Sequence, residues 1–71
     1  MRYLVIIEEA ERNFAAFSPD LPGCVATGAT LVEVEQNMRE AIDFHLEGLR
    51  LHGEPVPTPA SRTFYVDVEA A

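Results

Sequence analysis

The chain has no lysine, no tryptophan and a single cysteine, and its longest apolar runs are a handful of residues. Each scarcity excludes something. One cysteine, Cys24, rules out an internal disulfide, and its neighbour Val25 suggests a small buried apolar residue rather than a nucleophile. No run approaches the roughly 18–20 apolar residues of a membrane span. Only Tyr3 to Ile7 separate Arg2 from the acids Glu8 and Glu9, too short a run for a secretory leader, so the expected location is the cytoplasm. The bases are five arginines against twelve acids, a net charge of −7. That balance opposes nucleic-acid binding, which needs clustered positive charge. It suits a basic protein partner, or plain solubility.

What is present fits a single domain over residues 1–71. Hydrophobic residues make up 48% of the chain, which argues against disorder. A core this small supplies only about 3–5 kcal/mol. With no covalent staple, we expect a homodimer or higher homo-oligomer.

The pattern along the chain reads β-β-β-α-β, an α+β fold. Residues 2–8 are β-branched and aromatic on both faces, which predicts a central strand. Glu9 to Asn13 is a polar turn, and Phe14 to Phe17 a second strand in an antiparallel hairpin. In the connection Ser18-Pro-Asp-Leu-Pro-Gly23, Pro22 and Gly23 suit the central positions of a type II turn. A short third strand, Cys24 to Thr27, ends at Gly28. Thr30-Leu-Val-Glu33 is a capping box. It opens a helix of roughly 22 residues with an apolar stripe of Leu31, Val34, Met38, Ile42, His45 and Leu49. Gly53 is the expected stop. Glu54 to Pro59 is a polyproline-like linker, and Arg62 to Glu69 alternates as a last strand, with Phe64, Val66 and Val68 on one face. A right-handed crossover would lay this strand beside strand 1. One long helix then covers one face of the sheet and leaves the other as a candidate contact surface.

No motif for catalysis emerges. A two-metal nuclease needs converging carboxylates, and Glu8, Glu40 or Glu47, and Asp67 would be the candidates. Yet Leu4 to Ile7, the middle of strand 1, holds no acid, and the helical acids fall on the solvent face. His45 and His52 lie about 10.5 Å apart along the helix, too far to share one zinc. Neither Ser18 nor Ser61 belongs to a nucleophile motif, and no phosphate-binding loop is present. The chain is expected to be no enzyme and to need no cofactor or metal.

Ser18-Pro-Asp-Leu-Pro-Gly-Cys-Val-Ala-Thr-Gly28, Thr30-Leu-Val-Glu33, Glu40-Ala-Ile-Asp-Phe-His-Leu-Glu-Gly-Leu49 and Gly53-Glu-Pro-Val-Pro57 together resemble HicB-type antitoxins over nearly the whole chain. The resemblance implies a partial ribonuclease-H-like fold without the nuclease site. It also implies oligomers that neutralise a small mRNA-cleaving HicA-type toxin by covering it. Many family members carry a C-terminal DNA-binding module. This sequence stops two residues after Glu69, so direct DNA binding is not expected. The alternatives are a solitary HicB-like binding module without a toxin partner and a divergent ribonuclease-H-like nuclease.

Five residues are candidates for partner contact. Asp20 and Leu21, exposed on the rigid Pro19–Gly23 loop, could dock on a basic partner, although we favour a role in fixing the strand register. Phe44 and Leu51 point away from the apolar helix face, with Gly48 between them permitting close backbone approach. Either the proline linker folds over them or a toxin or second subunit does.

Overall fold

Three strands and one helix follow in order: β1 (Ile6–Glu9), β2 (Phe14–Phe17), β3 (Val25–Gly28) and α1 (Leu31–Leu51). The computed structural model describes residues 1–70. The strands form an antiparallel meander in the order β1-β2-β3. Ile6 pairs with Phe17 and Glu9 with Phe14, while Phe14 pairs with Gly28 and Phe17 with Val25. The α+β class, the three-strand meander and the long helix are as the residue pattern predicts.

Local chemistry explains the boundaries. The Ala10 N–H donates to the Asn13 carbonyl at 2.8 Å and closes the first hairpin. In the next connection Leu21 N–H donates to Ser18 O and Cys24 N–H to Leu21 O, each at 3.1 Å. Gly23 has φ +82°, the left-handed geometry that a type II turn demands at that position. At the helix start, Glu33 N–H donates to Thr30 Oγ1 at 3.1 Å. The Glu33 carboxylate reaches back to the N–H of Ala29, one residue before the cap, at 3.1 Å. At the helix end, Glu54 N–H donates to Leu49 O at 2.8 Å and Gly53 N–H to Arg50 O at 3.2 Å. With Gly53 at φ +67°, this is a Schellman stop.

The helix lies over β3 and β2. The buried apolar residues are Ala16, Leu21, Cys24, Val34, Met38 and Leu46, and Tyr3, Val5, Ile7, Phe14, Ala26, Ala41, Ile42, Leu49 and Val56 pack around them half-buried. Gly28 lets the helix sit this close. A methyl built on it would lie 2.5 Å from Val34 N and 2.8 Å from Val34 Cα.

Two expectations need correction. The predicted central strand over residues 2–8 is the edge strand Ile6–Glu9. Among the described residues, the predicted last strand over residues 62–69 has no strand partner, and residues 60–70 are all exposed. Asp20 accepts hydrogen bonds from the N–H groups of Ala60 and Ser61, and Ser61 to Thr63 then face residues 2–5 across an open cleft instead of pairing with them. The radius of gyration is 14.3 Å, with principal extents of 51 × 27 × 16 Å. A compact chain of this length has a radius of gyration of roughly 11 Å, so the arm makes the molecule elongated.

Candidate partner-binding surfaces

The β2–β3 loop turns inward rather than outward. Leu21 is 0% exposed and lies in the core, which overturns the expectation that it is presented for docking. Its side chain joins the buried cluster that also holds Val34 and Met38. Asp20 is half-buried and occupied. Its carboxylate accepts from Ala60 N–H at 3.1 Å, Ser61 N–H at 3.0 Å and Ser61 Oγ–H at 2.9 Å. The hydrogen bond from the Ser61 backbone, then that from Ala60, holds its pKa below the ordinary carboxylate value. The loop thus acts as a clamp on the segment that follows the proline linker.

The helix flank is different. Phe44 is 78% and Leu51 77% exposed. Gly48 lies between them, and a methyl added there would meet nothing within 4 Å. The linker does not cover this stripe. It goes to the other side, where Val56 packs on the core and Pro57 O accepts from the Tyr3 hydroxyl. Spacings of four and three residues put Phe44, Gly48 and Leu51 on one line of the helix. Asn37 and Glu40 continue that line toward the N-terminus, and Asn37 Nδ2–H donates to Thr27 O on β3 at 2.8 Å. The stripe therefore runs along the helix flank nearest β3, with the acids Glu40 and Glu47 close beside it.

Two hollows lie near the opposite edge of the sheet. A groove of about 220 Å³ opens between β1 and α1, lined by Val5, Ile7, Met38 and Ile42 with Glu35 and Arg39. A cleft of about 550 Å³ separates residues 2–5 from Ser61, Arg62 and Thr63. Among the described residues, the backbone bonds outside helix and strands involve neither residues 1–5 nor residues 62–70. The exposed apolar side chains of the arm, Phe64, Tyr65, Val66 and Val68, were read from sequence only as the inner and outer faces of a packed strand. Their alternation signals a strand but is silent about which molecule pairs with it.

The remaining candidates for chemistry are quiet. Cys24 is buried, and burial raises its thiol pKa. One ring nitrogen of His52 (Nδ1) lies 2.8 Å from Gly48 O. Among the described residues no group of three or more His, Cys, Asp or Glu could hold a metal ion, and no helix is long and apolar enough to cross a membrane.

Comparison with known proteins adds the family. The model of the HicB-like antitoxin of bacterial toxin–antitoxin systems matches residues 3–69. One chain of a solved HicA3 and HicB3 toxin–antitoxin complex superposes with a TM-score of 0.73 at 32% identity, over 84% of this chain and 70% of that one. A 14.9 kDa protein of Haemophilus phage HP1 is 40% identical over 57 residues, which are 80% of this chain but only 43% of the phage protein. A UPF0150 protein of Thermoplasma acidophilum is 40% identical over 58 residues, covering 80% of this chain and 84% of the relative.

Proposed function

The chain belongs to the HicB-like antitoxins, and from that premise we propose that it binds a small basic toxin of the HicA kind in the cytoplasm and neutralises it by contact rather than by catalysis. The observation that carries the reading to a particular surface is the uncovered stripe of Phe44, Gly48 and Leu51. Large apolar side chains this exposed mark interaction sites, and aromatic anchors beside a small residue let another backbone come close. The flanking acids and the net charge of −7 favour encounter with a basic surface. Asp20 enters only indirectly, by holding the arm, and Leu21 belongs to the core.

The test uses a short basic protein encoded beside this one. The two purified chains should co-elute, and co-expression should relieve growth arrest caused by the toxin. Phe44→Glu and Leu51→Glu should each weaken the complex by at least about tenfold, some 1.4 kcal/mol, because truncating or charging a central anchor costs about 2 kcal/mol or more. The helix signal in circular dichroism should be unchanged. A complex that forms equally well with both variants removes the stripe from the interface. Failure of the wild-type chain to bind or protect removes the antitoxin reading.

A further inference from the structure

Positive charge is scarce in this chain, and most of it gathers in one place. Arg2 and Arg62 line the cleft of about 550 Å³ between residues 2–5 and Ser61–Thr63. Arg2 and Arg39 line a neighbouring hollow with Ile42 and Asp43. Three of the five arginines thus meet on the β1 side of a chain that carries twelve acids. Among the described residues no acid lines the cleft itself. The nearby Asp20 carboxylate is already taken up by Ala60 and Ser61. The walls have a second property. Among the described residues, the backbone bonds outside helix and strands involve neither residues 1–5 nor residues 62–70, while Tyr3, Leu4 and Val5 are half-buried. Their N–H and C=O groups call for partners and are open to an incoming backbone. Val5 lines both the cleft and the groove formed with Ile7, Met38 and Ile42, so the basic cleft opens onto an apolar floor.

We propose that this face binds an acidic, extended peptide segment of another protein by strand addition. The peptide backbone pairs along residues 2–5 and onward to the outer edge of β1, which among the described residues has no neighbour. Its carboxylates lie in the cleft at Arg2 and Arg62. An apolar side chain further along lies over Val5, Ile7 and Ile42. Charge sets this polarity, because β1 ends in Glu8 and Glu9, and an acidic end placed there would be repelled. In recognition of this kind the main-chain bonds give affinity and the side-chain pockets give specificity. Charge also decides between a peptide and a nucleic acid. A peptide with two carboxylates needs only the local arginines, whereas a phosphate backbone would run on past them over a surface of net charge −7. Tyr3, the aromatic ring of the cleft, is half-buried and tied by its hydroxyl to Pro57 O, which withholds it from stacking on a base. The peptide differs from a basic toxin in sign and meets the other side of the helix, so the inference does not rest on toxin binding.

The experiment uses the full chain and a capped synthetic peptide of about six residues, two aspartates followed by alternating valine and threonine. Titration followed by amide shifts should saturate with a Kd of about 1 mM or tighter. The amides of Arg2 to Ile7 and of Arg62 and Thr63 should move, and those of Phe44 and Leu51 should not. Raising salt from about 0.01 to 1 M, which cuts the Debye length from about 30 to 3 Å, should weaken binding about threefold or more. Arg2→Ala combined with Arg62→Ala should weaken it by at least about fivefold. Both side chains are exposed, so the helix signal should be unchanged. Arg12→Ala combined with Arg50→Ala removes the same charge from the first hairpin turn and the helix end and should bind as the parent does. Absence of saturation, equal binding by the two double variants, or a single-stranded RNA oligonucleotide that holds Arg2 and Arg62 more tightly than the peptide would each overturn the proposal. So would proton contacts between Val66 and Ile7 in the peptide-free protein, since residues 62–69 of the same or a second copy would then hold the edge.

Discussion

Replacing Gly28 by alanine tests whether the close seat of α1 on β3 organises the fold. The residue has ordinary backbone geometry, since the glycines with positive φ are Gly23 and Gly53. On entropy alone, alanine would therefore stabilise by about 0.4–1 kcal/mol, through a less flexible unfolded chain. The added methyl, however, would meet Val34 N at 2.5 Å, Val34 Cα at 2.8 Å and Glu33 C at 3.0 Å. All three are backbone atoms of the first helical turn and cannot rotate aside. Relief requires the helix to lift from the sheet, which loosens Val34 and Met38 in the core and strains the Thr30 cap. Overpacking of this kind costs about 1–3 kcal/mol, so the net loss is about 1–2 kcal/mol. For a chain of this size total stability is about 4–11 kcal/mol, and the melting temperature should fall by about 4–16 °C. Gly48→Ala is the matched control. It sits in the helix with nothing within 4 Å of the new methyl and should gain about 0.5–1 kcal/mol. Denaturant midpoints at one fixed protein concentration measure both, because dimerisation would make stability concentration-dependent. A Gly28→Ala protein as stable as the parent would refute the close-packing account.

Thr30→Ala should lose about 1 kcal/mol and free the Glu33 amide, seen as faster hydrogen exchange in the first helical turn. The backbone hydrogen bonds from Ser61 and Ala60 hold the Asp20 pKa below the ordinary carboxylate value of 3.8, so its contribution is fully present above the unfolded value and is lost as pH falls through the folded one. The amide shifts of Ala60 and Ser61 should therefore be constant above about pH 5 and move together below 3.8; movement centred near neutral pH would exclude the carboxylate clamp. Ser18 is 3% exposed, and its Oγ has no hydrogen-bond partner among the described residues. Removing an unsatisfied hydroxyl avoids a penalty of about 1–3 kcal/mol, so Ser18→Ala should be no less stable than the parent by urea titration, and a marked loss would reveal an unrecognised partner.

Local chemistry was legible in the sequence because its signals are short-range. Pro22-Gly23, the box from Thr30 to Glu33 and the stop at Gly53 each act within five residues, and each appears where its residue types demand. The apolar spacing of Val34 and Met38 placed the helix face for the same reason, although Leu31 at the head of that stripe is exposed. Longer-range facts were not legible. Leu21 follows an acid in a loop, and nothing within the loop says that its side chain enters the core. The two-sided apolarity of residues 2–8 called for neighbours on both sides, but only Ile6 to Glu9 pair, and on one side only. The alternation of Phe64, Val66 and Val68 predicts a fourth strand, because periodicity records a face and not whether a strand edge is paired. The clamp from Asp20 to Ser61, across 41 residues, has no signature in either segment.

The Phe44–Leu51 stripe and the groove beside β1 occupy nearly opposite sides of one helix. With about 100° per residue, Gly48 and Leu51 lie within roughly 40° of Phe44, whereas Met38, Ile42 and Glu35 are rotated by roughly 120–180° from it. Phe44 and Leu51 are exposed; Met38, Ile42 and Glu35 line the groove. A toxin seated on the stripe would leave the groove open, so Phe44→Glu should impair toxin capture while Arg39→Ala on the groove side should leave it intact; a complex lost with Arg39→Ala and kept with Phe44→Glu, at unchanged helix content, would move the interface to the groove.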